Sequence, residues 1–261
     1  MNNIFNAIRF QKLFVKHTTE NYRNYIVSMA VLFGMISLFY FFFVVDTDSK
    51  TLKIRIIGLM ALYLLAGCIF TSSIFSDFSL KRRAIASLSL PASLFEKFLV
   101  GWIYSFLIFS TVYMLTYAIV DYVFLPFIIS TDKQILIELI QGPEILALMV
   151  LYYAFLHSIT IFGAIWFDSA HFIKTAAVLF IVIIIFCLGN SWFLDSIISQ
   201  EELGFTLPLS NDLIIKTGGS VVYFRADIEK SQRIIYTLLL LLGVAFAMWA
   251  AAFYCLKENE I

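Results

Sequence analysis

FSLKRRAIASLSLPASLFEKF, residues 78–98, lies between two long apolar runs and holds the only three consecutive basic residues in the chain, Lys81, Arg82 and Arg83. Adjacent cations of this density do not sit in hydrocarbon, so the runs on either side are separate segments. Beyond them come a break at Leu90-Pro91 and then Ser93-x-x-Glu96 at the edge of the next apolar run. A serine followed three residues later by a glutamate is a capping box, in which each side chain takes an orphan backbone N–H of a starting helix. The stretch is therefore expected to be structured: a short helix, then a capped entry into a long one. Two roles fit it. It is either a positive anchor holding two membrane spans or a docking element for a soluble partner.

Composition sets the environment. Of 261 residues, 61% are hydrophobic and 14% charged, with a mean hydropathy of +0.92. A soluble domain carries about 25% charged residues. The chain reads as an all-α polytopic membrane protein with a single membrane domain, residues 1–261. Its formal net charge of zero argues against a nucleic-acid partner. Cys68, Cys187 and Cys255 all fall inside apolar runs and read as small buried hydrophobes. The first apolar run is long enough to span and lacks the small-residue cleavage site of a signal peptide.

Working outward from the loop, apolar runs long enough to cross a bilayer core of ~20 residues occupy about 25–45, 54–75, 98–120, 145–167, 175–193 and 234–256. Residues 1–23 ahead of them form an amphipathic pattern. Arg9, Lys12, Lys16 and Glu20 fall opposite Ile4, Ala7, Ile8, Phe14 and Val15, which suits a helix lying in the headgroup plane against membrane lipid. Residues 132–141 read as a short helix between the third and fourth spans, capped by Asp132 and stopped at Gly142-Pro143. The longest polar segment, 195–233, precedes the last span. Its two β-favouring runs around Gly218-Gly219 suggest either a hairpin or a flexible glycine loop.

Six spans place both termini on one side. With the termini cytoplasmic, the inner segments carry ten lysines and arginines against eight outside, and eight of those ten lie in the amino-terminal segment and the basic loop. Positive residues close to span ends favour the cytoplasmic side. The chain is thus expected in the cell (inner or plasma) membrane with both termini in the cytoplasm and the 195–233 segment outside.

Chemistry is sparse. His17, His157 and His171 are isolated, and neither a paired-histidine metal motif nor a glycine-rich phosphate loop occurs. No catalytic residue, metal or cofactor is assigned to this chain. Three features of the spans stand out. His157 falls at mid-span, as a functional candidate or as a histidine bonded to a neighbouring helix. Ser110, Tyr113, Tyr117 and Asp121 recur along one face of the third span, bordering a substrate cavity or bonding another span. Gly243, Ala247 and Ala251 repeat at the four-residue spacing that lets two helices approach closely, within the chain or between copies.

The six-span layout, the amphipathic amino terminus, the long segment before the last span and the string K-R-R-x-x-x-x-L-S-L-P-A-S-x-x-E-K-F together resemble the membrane subunits of type-2 ATP-binding-cassette exporters. The likeness covers the whole chain in layout and residues 76–101 in motif. It implies a permease that pairs as a homo- or heterodimer and binds a separate cytosolic ATPase, which holds the ATP. It also implies that residues 79–90 are the coupling helix, with Lys81, Arg82, Arg83, Ile85, Leu88 and Leu90 as the contact surface. Pro91, Ser93 and Glu96 would be the hinge and cap joining that surface to the third span, and the amino-terminal helix would be the connecting helix beside it. A non-transporting scaffold or sensor is the alternative.

Overall fold

A computed structural model of the chain describes residues 5–45, 52–79, 92–124, 143–197, 202–203, 212–217, 220–225 and 230–258. Six of its helices are long and apolar enough to cross a membrane, so the chain is a multi-pass membrane protein. We number them α1 (Ala7–Phe39), α2 (Leu52–Ser79), α3 (Leu94–Phe124), α4 (Pro143–Trp166), α5 (His171–Ile197) and α6 (Lys230–Glu258). Each expected span lies within one of these helices or its direct continuation. The basic loop 80–91 and the expected short helix 132–141 lie outside the described residues.

The amphipathic segment and the first span are not two elements. They form one helix of 33 residues. The Asn6 side chain starts it by accepting the N–H groups of Ile8 (3.0 Å) and Arg9 (3.4 Å). Neither proline nor glycine occurs from residue 7 to 33, so nothing in the sequence interrupts the backbone ladder where the polar stripe gives way to the apolar run.

Two helices contain wide π turns. One continues α1 over Tyr40–Val45, and the other occupies Ile103–Ile108 inside α3. At the end of the second, the Phe109 N–H reaches back to the Tyr104 carbonyl, a bond one residue longer than the α-helical one.

The chain divides into two compact units: Met1–Phe172 with Leu241–Ile261, and Ile173–Leu240. The first contains two apolar cores. The near core, toward the chain termini, gathers Phe75, Phe98, Val100, Tyr104, Ile161, Ala252 and Leu256. The far core gathers Ile36, Tyr40, Tyr63, Phe109, Tyr113, Met149 and Tyr153. Between them lies a layer of buried polar side chains that includes Thr71, Ser105, His157, Ser158 and Thr160. The wide turn of α3 sits at this layer, since Tyr104 belongs to one core and Phe109 to the other.

The second unit contains α5 and a three-stranded antiparallel sheet ordered β1 (Glu202–Leu203), β2 (Asp212–Thr217), β3 (Ser220–Arg225). Thr217 faces Ser220 across the β2–β3 pair, so the hairpin expected around residues 218–219 is present. β1, too short to carry a period-two signal, has no counterpart in the sequence reading.

Close helix approach requires glycine at two places, Gly58 against the Phe39 ring and Gly67 against the Tyr153 ring. A Cβ on Gly67 would lie 2.3 Å from a ring carbon of Tyr153, whereas one on Gly34 would meet nothing within 4 Å. Tyr153 is fully buried with its hydroxyl engaged, so its ring has little freedom to withdraw. Gly67→Ala is expected to destabilise the purified chain by about 1–3 kcal/mol through overpacking, read as a lower melting temperature in detergent. Gly34→Ala should leave that temperature unchanged or slightly higher.

Candidate functional site

The entry to α3 is capped as its sequence requires. The Ser93 side chain accepts the Glu96 N–H at 3.2 Å, and the Glu96 carboxylate accepts the Ser93 N–H at 3.0 Å. What the sequence does not show is that the same carboxylate serves a second helix. Glu96 Oε1 accepts the backbone N–H of Asn6 at 2.7 Å and the guanidinium of Arg9 at 3.1 Å. Asn6 is itself the N-cap of α1. One carboxylate with no exposed surface therefore joins the amino-terminal ends of two helices, where both helix dipoles favour negative charge. The loop of residues 80–91 enters α3 at this clasp. Of its expected contact residues, Lys81, Arg82, Arg83, Ile85, Leu88 and Leu90 lie outside the described residues, as does Pro91 of the hinge. Ser93 and Glu96 are described and form the cap.

A second attachment between α1 and α3 lies about two turns deeper. The Thr18 hydroxyl donates to the Phe14 carbonyl at 2.8 Å and is hydrogen-bonded to the Tyr104 hydroxyl. One proton serves one acceptor, so Tyr104 is the donor to Thr18. Its ring stacks on Tyr25 at 5.4 Å and lies against His17 at 4.6 Å and Phe14 at 4.9 Å.

At the polar layer, His157 is fully buried. Trp249 Nε1 lies 3.2 Å from its Nδ1, and Ser105 Oγ lies 2.8 Å from its Nε2. An indole N–H can only donate. Nδ1 is thus the acceptor, a neutral ring carries its proton on Nε2, and that proton goes to Ser105. The serine's own proton has the Gly101 carbonyl at 2.8 Å. The Tyr153 hydroxyl donates to the Ser105 carbonyl at 2.6 Å inside the wide turn. His157 is thereby bonded to two neighbouring helices, α3 and α6.

The polar stripe on α3 shares one face, as its spacing predicts, and that face is turned onto other helices. Ser110 meets the Tyr63 hydroxyl of α2 at 2.7 Å, and the Tyr113 hydroxyl donates to the Leu59 carbonyl at 2.8 Å. Beyond α1, Tyr40 donates to Asp121 and lies 3.2 Å from the Tyr117 hydroxyl. These groups link helices, and Tyr113, Tyr117 and Asp121 are all buried. Gly243, Ala247 and Ala251 are expected to pack a helix within the chain or between copies. Among the described residues a Cβ on Gly243 would meet nothing within 4 Å, and the face of α6 that enters the near core carries Ala252, Cys255 and Leu256. These lie on a helical face roughly 120–180° away from Gly243 at 100° per residue.

An apolar groove of about 460 Å³ opens between α1, α2 and α3, with Leu32, Ala66, Phe70 and Phe109 among its walls. Among the described residues no group of three His, Cys, Asp or Glu side chains is placed to hold a metal ion. No family model, curated protein or solved structure matches the chain.

A buried donor left without its acceptor costs about 1–3 kcal/mol. Glu96→Ala strips acceptors from Asn6, Ser93 and Arg9 together, and a loss of that size is expected in the melting temperature or denaturant midpoint. Glu96→Gln keeps one carbonyl acceptor and should lose less. At the polar layer, His157→Leu leaves the Trp249 N–H without its acceptor. The expected cost is about 1–3 kcal/mol, accompanied by a change in Trp249 fluorescence, whereas His157→Asn should retain part of both.

Proposed function

We propose that the chain is the permease subunit of an ATP-binding-cassette transporter, multi-pass in the cell membrane with both termini cytoplasmic. A separate cytosolic ATPase would dock on the loop after α2 and supply the energy. The observation that best supports this reading is the Glu96 clasp. A docking loop does work on a bundle only if its exit is fixed to the helices it moves. Here the residue that caps the loop's exit also holds the first turn of α1. A displacement of residues 80–91 would act on α1 and α3 together, and through the Thr18–Tyr104 bond it would reach the polar layer. The lack of a nucleotide-binding motif in the sequence agrees with an ATPase carried on another chain. The permease would act as a homo- or heterodimer, with the exposed Gly243 and Ala247 face of α6 open to a second helix.

One observation favours the alternative, a membrane scaffold or sensor that moves no substrate. The polar residues of the spans most suited to a translocation path, His157, Tyr117 and Asp121, are all occupied by one another or by neighbouring helices.

Purification of the full chain from its native membrane separates the two. On the permease reading a soluble protein carrying a phosphate-binding loop co-purifies. Replacing Lys81, Arg82 and Arg83 together by alanine should lower its recovery at least about tenfold, equivalent to ~1.4 kcal/mol, with the permease still inserted. Purification with no ATPase, or recovery unaffected by the triple substitution, would count against docking at this loop.

A further inference from the structure

The three-stranded sheet of the second unit has two unlike edges. At one, β1 is two residues long, Glu202–Leu203. At the other, β3 runs for six residues, Ser220–Arg225, and among the described residues it pairs on one side only. Edge strands are commonly blunted by shortness, charge, proline or a bulge. β1 is short and carries a glutamate. β3 has no charge before Arg225 and no proline, and its Val-Val-Tyr-Phe run favours extended backbone. Its pairs with β2 continue without a break from Thr217↔Ser220 to Asp212↔Arg225, so no bulge turns this edge away.

Register decides which backbone groups stay open. Two residues separate Thr217 from Ser220, the spacing of a tight hairpin whose closing pair is hydrogen-bonded. Bonded and non-bonded pairs then alternate along the antiparallel ladder. Ser220, Val222 and Phe224 therefore bond toward β2, and the N–H and C=O groups of Val221, Tyr223 and Arg225 point to the open edge. The same register sorts the charges. Glu202↔Lys216 and Asp212↔Arg225 fall on one face, which Val221 and Tyr223 share. Leu203, Leu213, Ile215, Val222 and Phe224 fall on the other, which has no charged residue.

We propose that β3 pairs antiparallel with β3 of a second copy of the chain, about a two-fold axis at Tyr223, to make one six-stranded sheet. A row of open N–H and C=O groups is matched by another strand, and symmetry selects the chain's own. A two-fold axis normal to the sheet returns each face to itself, so the two uncharged faces join. Parallel pairing, about an axis along the strands, would set an uncharged face beside a charged one. With Tyr223 opposite the partner's Tyr223, Val221 faces the partner's Arg225. All three open-edge residues of each strand are then bonded, and the two arginines stand at opposite ends. Copies inserted the same way in a membrane can be related only by an axis along the bilayer normal, so the joint sheet lies parallel to the bilayer. The proposal rests on the permease reading only for the second copy and asks nothing of the ATPase.

Cysteine cross-linking of the full chain in membranes tests it, with the unsubstituted chain as the background for Cys68, Cys187 and Cys255. Tyr223→Cys would face its own copy across the axis at about 5.5 Å between Cα atoms, within disulfide reach. Mild oxidation should give a dimer at least fivefold above background on a non-reducing gel. Ile214→Cys shares that face but lies in β2, three strand spacings or about 14 Å from its copy, and should stay at background. Val221→Cys and Arg225→Cys should cross-link to each other when co-expressed, and neither to itself. This pair reads the same register if the Tyr223 variant fails to insert. Tyr223→Pro removes an N–H from the open edge and none from the β2 side, and should abolish the Val221–Arg225 cross-link. Cross-linking of Tyr223→Cys no stronger than that of Ile214→Cys would overturn the pairing. So would Val221→Cys cross-linking to itself, the mark of parallel strands, or a Val221–Arg225 cross-link that survives Tyr223→Pro. If the pairing fails while an ATPase still co-purifies through Lys81, Arg82 and Arg83, the strand pairing alone falls and the permease reading stands.

Discussion

A carboxylate without exposed surface has to be surrounded by donors, and Glu96 meets that requirement from two directions. Its own helix supplies the Ser93 N–H, while α1 supplies the Asn6 N–H and the Arg9 guanidinium. Four backbone N–H groups at the start of any helix lack intrahelical partners. At this end of the bundle two such sets converge on one anion. The clasp fixes where α1 begins relative to α3 and sets the origin from which both helices run into the membrane. Arg9 alone would give a weaker link, because its side chain is 38% exposed and exposed ion pairs contribute little. The backbone donors of two helices give the clasp its rigidity.

The same rule governs the interior. In hydrocarbon no water is present to satisfy a buried hydroxyl or imidazole, so each must find protein. The polar layer between the two cores obeys this partly through bonds back to its own helices, from Ser158 and Thr160, and partly through bonds that cross between helices: Ser105 to His157, Trp249 to His157, and Tyr153 to the Ser105 carbonyl. The interhelical ones contribute about 1 kcal/mol each in a membrane. They also set register, because a one-residue slip of any helix would leave donors unpaired. The wide turn at Ile103–Ile108 falls at this layer, leaving the near core at Tyr104. A helix that passes between two packed cores can take up a register mismatch there, where side-chain hydrogen bonds are at hand to replace disturbed ladder bonds.

How much of this the sequence discloses depends on the separation of the interacting residues. The six spans follow from local hydropathy, the Ser93/Glu96 cap from a spacing of three, and the β2–β3 hairpin from two β-favouring runs around a glycine pair. Each is a local signal. Glu96 and Asn6 are 90 positions apart, Trp249 and His157 are 92 apart, and no periodicity relates them. The stripe of Ser110, Tyr113, Tyr117 and Asp121 shows the limit clearly. Its helical spacing was legible, but whether a polar face borders a cavity or bonds another helix depends on what lies opposite. Tyr40, Leu59 and Tyr63 lie opposite. The fusion of the amphipathic segment with the first span was readable in principle from the lack of any breaker between residues 7 and 33. The change from polar stripe to apolar run suggested a boundary that the backbone does not observe.

The attachments between α1 and α3 also account for the groove. From the Thr18–Tyr104 bond to the Tyr40–Asp121 bond, α1 advances 22 residues and α3 advances 17. At 1.5 Å per residue these are about 33 Å and 25 Å of helix, and the wide turn in α3 shortens the second path further, because a π turn rises less per residue. Two stiff rods held at the same two points over unequal lengths cannot run parallel. Tyrosine side chains at both attachments absorb part of the difference, and the remainder inclines α1 to its neighbours. The opening lies over Tyr25–Met35, between the two attachments. The groove is thus a consequence of satisfying buried polar groups at two depths with helices of different reach.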